Sequence, residues 1–358
     1  MVIRFTGRKL AVAFAVLASA ACAHGGSGAL AVKAVPALVE TPPVGVAGDA
    51  ADDPAIWVAP SAADSRVIGT QKQGGYYVYD LEGRIVQELM LGLPNNVDLA
   101  PAFAWPDGAA PIVAASDRAD NTVPLFRFDP VAGRLETQPR ARIATGFAEV
   151  YGVCIGTRGE DTILVATSKI GEVVTWRVAM AGDAINATRV GGFALGSITE
   201  GCVIDGSANA LFVAQELKAL WRVALDDADG AARQAIAVIR GDRALRADLE
   251  GVALWEGPDG GGYIVMSVQG RSTFAVYDRA APHAYRGSFS IVGSPGVDAV
   301  TGTDGLAITS AALGPRFPRG LLVVQDDSNT QPAATQNFKY VSWADVESAL
   351  GLGAPPAP

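Results

Sequence analysis

Histidine is nearly absent from this chain of 358 residues. Only His24 and His283 occur, too few for a catalytic histidine pair, a histidine-rich zinc site or histidine-phosphatase chemistry. Cysteine is equally scarce: Cys22, Cys154 and Cys202 make neither a zinc site nor a disulfide framework, and Cys154 and Cys202, at nearly matching strand positions, are expected as two free buried thiols, with a bond between them left open. Positive charge is also short. Lys and Arg number 28 against 37 Asp and Glu, a net charge of −9, which excludes a basic nucleic-acid-binding surface. Beyond the N-terminus no run of 18 uncharged residues occurs, so the chain is not a multispan membrane protein. What is abundant is apolar surface, 49% of residues, enough for a large core, together with 41 glycines and 21 prolines. Those two residues imply many turns and argue against a helical bundle.

At the N-terminus Arg4, Arg8 and Lys9 precede an uncharged run over 10–23 that ends in small residues. This is the form of a secretory signal over 1–23. An alternative makes Cys22 a lipoprotein cysteine, although Ser19 stands where such a signal usually carries Leu. Removing 1–23 takes the charge from −9 to −12. The expected location is therefore secreted or periplasmic, with outer-membrane attachment through Cys22 as the variant. Residues 24–39 read as a linker and 40–358 as a single domain.

One pattern recurs six times in that domain: polar or acidic residues, often with Gly, opening a short apolar strand. Its copies begin at Asp52-Asp53-Pro54, Asn95-Asn96-Val97, Tyr151-Gly152-Val153, Glu200-Gly201-Cys202, Glu250-Gly251-Val252 and Asp304-Gly305-Leu306. The glycines at 152, 201, 251 and 305 lie 49, 50 and 54 residues apart. A second strand follows each, ending in small and then polar residues, as in Ala166-Thr167-Ser168-Lys169. Repeats of about 50 residues with three or four strands have the size of propeller blades. The fold class is thus all-β, a six-bladed β-propeller, with one helix over 342–350 that caps the ring's closure.

Adjacent antiparallel strands place the start of the first and the end of the second at the same end of a blade. One face therefore collects Asp49, Asp52, Asp53, Asp98, Glu200, Glu216, Asp248, Glu250, Asp304 and Asp326, with Glu40 and Asp298 in flanking loops. Carboxylates so close repel and raise one another's pKa unless cations intervene. Only Lys72, Arg118 and Lys169 share that face as side-chain cations, so the balance is assigned to metal, and hard oxygen donors in loops favour Ca²⁺. Those three cations stand at matching places in consecutive blades, where Gln215-Glu216, Gln269 and Gln325-Asp326 occupy the other three. A fixed cationic arc beside metal suits phosphate.

These segments resemble the β-propeller phytases, the alkaline calcium-dependent phytate hydrolases, from about Glu40 to Trp343. The resemblance rests on Gly48-Asp49-Ala50-Ala51-Asp52-Asp53-Pro54-Ala55-Ile56-Trp57, Asn95-Asn96-Val97-Asp98, Glu149-Val150-Tyr151-Gly152, Asp248-Leu249-Glu250-Gly251 and Gln336-Asn337-Phe338-Lys339. It implies a 3-phytase type phosphoric monoester hydrolase that cleaves phytate, as its calcium complex, by metal-activated water. It also implies several structural and catalytic calcium ions. By the same carry-over Asp53, Asp298, Asp326 and Asn329 would ligate structural metal. Glu40, Asp52, Glu200, Glu216, Asp248, Glu250, Gln269 and Asp304 would form the catalytic metal shell. Lys72, Arg118 and Lys169 would be catalytic and phosphate-binding, with Tyr151 also on substrate. Three positions depart from the family pattern: Gln73, Gln215 and Ser328. The alternatives are a calcium-dependent propeller lactonase, which leaves the cationic arc unexplained, and a non-catalytic calcium-binding propeller. A monomer with no nucleic-acid partner and no membrane span is expected.

Overall fold

The computed structural model describes residues 1–2, 31–330, 335–353 and 355. Residues 3–23 of the signal segment, Cys22 among them, and His24 lie outside the described residues. Those described form six β-sheets in chain order and one short α-helix, the six-bladed propeller expected from the repeats. The innermost strands are Ala51–Trp57, Pro94–Trp105, Val150–Arg158, Thr199–Asp205, Leu249–Glu256 and Leu306–Thr309. Each neighbours the next around a central channel, and Leu306–Thr309 returns to Ala51–Trp57 to close the ring.

The second strands are apolar on both faces because each is sandwiched between blades; Leu321, Leu322, Val323 and Val324 are all fully buried. The core accordingly divides into six clusters, one per blade interface. Trp57, Ile68 and Tyr76 of the first blade meet Val113, Phe126 and Phe128 of the second. Tyr77 and Tyr79 on the opposite side meet Leu321, Val323, Phe338 and Tyr340 of the sixth.

Two features correct the sequence reading. The segment read as a linker over 24–39 is in part structural. Val32–Pro36 adds in parallel to Tyr285–Val292 as a fifth strand of the fifth blade, and Val39–Glu40 pairs antiparallel with Asn337–Ser342 as the outer strand of the sixth. The reason is apolar: Val35 and Ala37 are fully buried, and the two strands cover sheet edges that would otherwise be open. The N-terminal segment thus ties the last two blades. Helix Trp343–Leu350 packs on the strands Val32–Pro36 and Tyr285–Val292, its Trp343 ring stacked 5.5 Å from Trp255. Gly351, at φ +63°, ends it by donating its N–H to the Glu347 and Ser348 carbonyls.

The second correction concerns the cysteines. Cys154 and Cys202 are joined as a disulfide, not free, with a Cα separation of 5.7 Å. They sit on adjacent inner strands, drawn together where Gly152 lies against the Glu200 carbonyl. The bond closes 48 residues of chain and ties the third blade to the fourth. By loop-closure entropy such a bond is worth about 2–4 kcal/mol. The Cys154→Ser/Cys202→Ser protein should lose about that much in urea unfolding, with its folded far-UV spectrum kept; unchanged stability would show that the blades need no covalent tie.

Candidate active site at the channel mouth

In five of its six copies the repeated motif is a β-bulge. Register breaks between Ala51 and Pro54, Pro94 and Val97, Val150 and Val153, Thr199 and Cys202, and Leu249 and Val252. Each break releases two residues from the ladder at the channel end of an inner strand, and bulges of this kind re-aim side chains. The glycine of the pair lies against the next blade: a Cβ on Gly152 would collide with the Glu200 carbonyl, one on Gly201 with the Glu250 carbonyl, and one on Gly305 with Asp53. The small polar residues ending the second strands hold the bulges. Thr70 Oγ1 accepts the Asp53 N–H at 3.0 Å, Ser116 Oγ that of Asn96 at 3.0 Å, and Thr167 Oγ1 that of Gly152 at 2.9 Å.

The companion residues meet at the mouth. Asp52, Glu200, Glu216, Glu250 and Asp304 are all buried. One carboxylate oxygen each from Glu200, Glu216 and Glu250 lies within 4.8 Å of the others. Asn95 Nδ2 donates to Glu200 Oε1 at 2.5 Å. Burial pushes the Asp52 and Asp304 carboxyls up to about 7 even though Lys72 opposes it. Burial and then Glu200 push Glu216 up to about 8. Burial likewise raises Glu200, and burial together with Glu200 raises Glu250 well above the carboxylate range. Asp52 Oδ2, Glu216 Oε1 and Glu250 Oε2 are buried with no hydrogen-bond partner among the described residues. An all-oxygen set with orphaned acceptors fits a hard divalent cation. Asp248 is half-buried at the rim as a charged neighbour of Glu216, and Gln269 Nε2 donates to Asp304 Oδ1.

The three cations of the arc are present, each already engaged. Lys72 Nζ meets Asp49 at 2.7 Å and Asp52 and Asp304 at 3.0 Å. Its charge costs desolvation, but Asp52, Asp304 and Glu200 more than offset that and hold its pKa high. Arg118 Nη2 donates to the Lys72 carbonyl at 3.0 Å. Lys169 pairs with Glu149 at 3.0 Å and lies 4.7 Å over the half-buried Tyr151 ring. Burial, then Glu200 and Asp52, keep the Tyr151 phenol protonated.

The second expected metal set is not gathered as the sequence suggested. Asp53 lies in the channel wall, where its Oδ2 accepts the Val97 N–H at 3.2 Å. Glu40, assigned by resemblance to the catalytic shell, instead joins Asp298, Asp326 and Asn329. At the centre of that group is a side-chain cation the sequence reading passed over. Lys339 Nζ, fully buried, reaches Glu40 and Asp298 at 2.5 Å, Asn329 Oδ1 at 2.9 Å, Asn337 Oδ1 at 3.1 Å and Asp326 at 3.3 Å. Against the cost of burial, Lys339 and Thr330 hold Asp298 down at about 2. Here a lysine does neutralise the acids, because the third strand of the sixth blade, Asn337–Ser342, turns Lys339 inward. Gln215 is also spoken for, donating to the Leu195 carbonyl and Ser197 and accepting from Trp221. Asn95 and Lys339 both stood in motifs quoted above, but no pattern in the chain pairs residues 105 or 299 positions apart, as Asn95 with Glu200 and Lys339 with Glu40 are.

Fold and site together define a class: a six-bladed propeller whose channel mouth gathers buried carboxylates, a set that could hold a hard cation, beside the side chains of Lys72, Arg118 and Lys169. The phytase family model matches residues 6–354. The 3-phytase of Bacillus subtilis (strain 168) is 36% identical over 327 residues, covering 88% of this chain and 85% of that protein. The chain belongs to the phytase family, and its activity is that of a phytase, a phosphoric monoester hydrolase. Among solved structures, chains from the crystal structures of BBS1N in complex with ARL6DN, soaked with lead or mercury, match 77% of this chain. They cover 75% and 74% of those chains, at TM-scores of 0.44 and 0.43 and identities of 12% and 10%. Among the described residues no helix is long and apolar enough to cross a membrane.

Two outcomes follow from the charges. Carboxyls raised in the fold bind protons more tightly there than in the unfolded chain. Their stabilisation is full below about pH 4 and is lost as pH rises through 7 to 8 for Asp52, Asp304 and Glu216. In chelator the melting temperature should therefore fall over that range. A divalent cation should restore it most at pH 8 and release protons on binding near pH 7, measurable by titration calorimetry in buffers of differing ionisation heat. An equal cation effect at pH 5 and pH 8 would refute the cluster's role. Removing the buried Lys339 charge as Lys339→Met should cost about 3–5 kcal/mol in denaturant unfolding, since its carboxylates are left uncompensated; a loss under 1 kcal/mol would show the nest to be dispensable.

Proposed function

We propose that this phytase is exported, depends on calcium and takes phytate as its calcium complex. The observation that carries the reading is the set of orphaned buried carboxylate oxygens at Asp52, Glu216 and Glu250 beside the Lys72 ammonium. Asp52, Glu200, Glu216, Glu250 and Asp304 would hold the cations, with Asp248 and Gln269 at their edge. Calcium there would polarise phosphoryl oxygens and lower the pKa of water. Lys72, Arg118 and Lys169 bind and orient phosphate oxygens and supply fixed positive charge where negative charge is redistributed during transfer. Asn95 holds Glu200 in place, and the Tyr151 ring supports the Lys169 ammonium. A net charge of −9 opposes a polyanionic substrate unless cations mediate the encounter. The signal-like segment at 1–23 supports export to a calcium-containing compartment.

Phosphate release from phytate should be lost in EGTA, recover with added calcium, and fall again when excess calcium competes for substrate oxygens. p-Nitrophenyl phosphate should be a poor substrate at the calcium optimum. Undiminished phytate turnover in chelator would end the calcium reading, and equal kcat/KM for both substrates would point to a generic phosphatase.

A further inference from the structure

The two lysines of the arc differ in what kind of acid holds them. Asp52 and Asp304, at 3.0 Å from Lys72, have side chains 1% and 11% exposed and belong to the acidic ring. Asp49 is closer, at 2.7 Å, yet its side chain is 72% exposed. Glu149 pairs with Lys169 at 3.0 Å and is 49% exposed. Glu149 also borders the cleft of about 550 Å³ that Lys72, Gln73, Arg118 and Asn121 line, so it lies beside two of the three cations of the arc as well as Lys169. The backbone around each acid is anchored independently of its carboxylate: Gln73 Nε2 donates to the Asp49 carbonyl at 3.1 Å, and Lys169 N–H to the Glu149 carbonyl at 3.3 Å.

A buried acid cannot leave its lysine without stranding a charge in a low-dielectric site. An exposed one can swing into water at the small cost of a surface ion pair. To an ammonium, a carboxylate oxygen and a phosphate oxygen are equivalent acceptors. We propose that Asp49 and Glu149 are stand-in anions: they occupy Lys72 and Lys169 between turnovers, yield to substrate phosphates, and reclaim the lysines to help expel inorganic phosphate. The proposal rests on the phosphate reading of Lys72, Arg118 and Lys169. Its consequence is specific. These acids weaken binding of the product, so removing them tightens it, whereas damage to the site would loosen it.

The test is inhibition of phytate hydrolysis by inorganic phosphate at saturating calcium, with melting temperatures confirming the fold. Glu149→Gln and Asp49→Asn should each lower the phosphate inhibition constant about two- to fivefold, the weight of one exposed ion pair. The double variant should combine the two effects multiplicatively, since the two acids act on different lysines. Lys169→Met should raise the constant. An unchanged or raised constant in both folded carboxamide variants, while Lys169→Met still raises it, overturns the stand-in role and leaves the phosphate reading intact. A constant indifferent to Lys169→Met removes that reading and the stand-in role with it.

Discussion

Six strands converging on one axis leave no room for side chains where neighbouring bulges touch. That constraint underlies the rest of the molecule. Glycine at 152, 201, 251 and 305 lets four of the six inner strands lie against the next blade, and Gly251 and Gly305 donate their N–H groups across the blade boundary to the Asp304 and Asp52 carbonyls at 3.2 Å. The same close approach brings Cys154 and Cys202 within bonding distance. It also forces the residue beside each glycine toward the channel mouth, so chemistry accumulates where packing is tightest.

Concentrating acids there creates an electrostatic cost that the fold meets in two ways. At the sixth blade the answer is built in, with the Lys339 ammonium surrounded by oxygens of Glu40, Asp298, Asp326, Asn329 and Asn337. At the mouth Lys72 neutralises only part of the ring, and Asp52, Glu200, Glu216, Glu250 and Asp304 remain shifted toward protonation by burial. The first solution is permanent and holds the N-terminal strand Val39–Glu40 to the last blade. The second leaves buried carboxylate oxygens at Asp52, Glu216 and Glu250 without a hydrogen-bond partner among the described residues, a donor set that fits a hard cation.

Much of this was legible in the chain because propeller blades repeat. A bulge with the same chemistry recurs at similar spacing, so the acids from Asp52 to Asp304 could be assigned to one face without coordinates for any of them. Lys72, Arg118 and Lys169 were legible for the same reason, being strand ends in register. The misassignments fall where the repeat is broken. Val32–Pro36 pairs in parallel with a strand some 250 residues later, and Lys339 faces inward from the third strand of the sixth blade, which Val39–Glu40 covers.

The sequence alone determined the blade count, the all-β class, the acidic mouth with its cationic arc, and the family, since each is written in local motifs at regular spacing. Only the tertiary structure decided the partners. It moved Glu40 to the acids of the sixth blade and left Asp53 in the channel wall, seated an ammonium among those sixth-blade acids, joined two cysteines expected to be free, and paired both lysines of the arc with acids. The physical reason is that strand periodicity sets which end of a blade a residue occupies. Contact between side chains depends on how six blades close around the axis, and that distance appears nowhere in the order of residues.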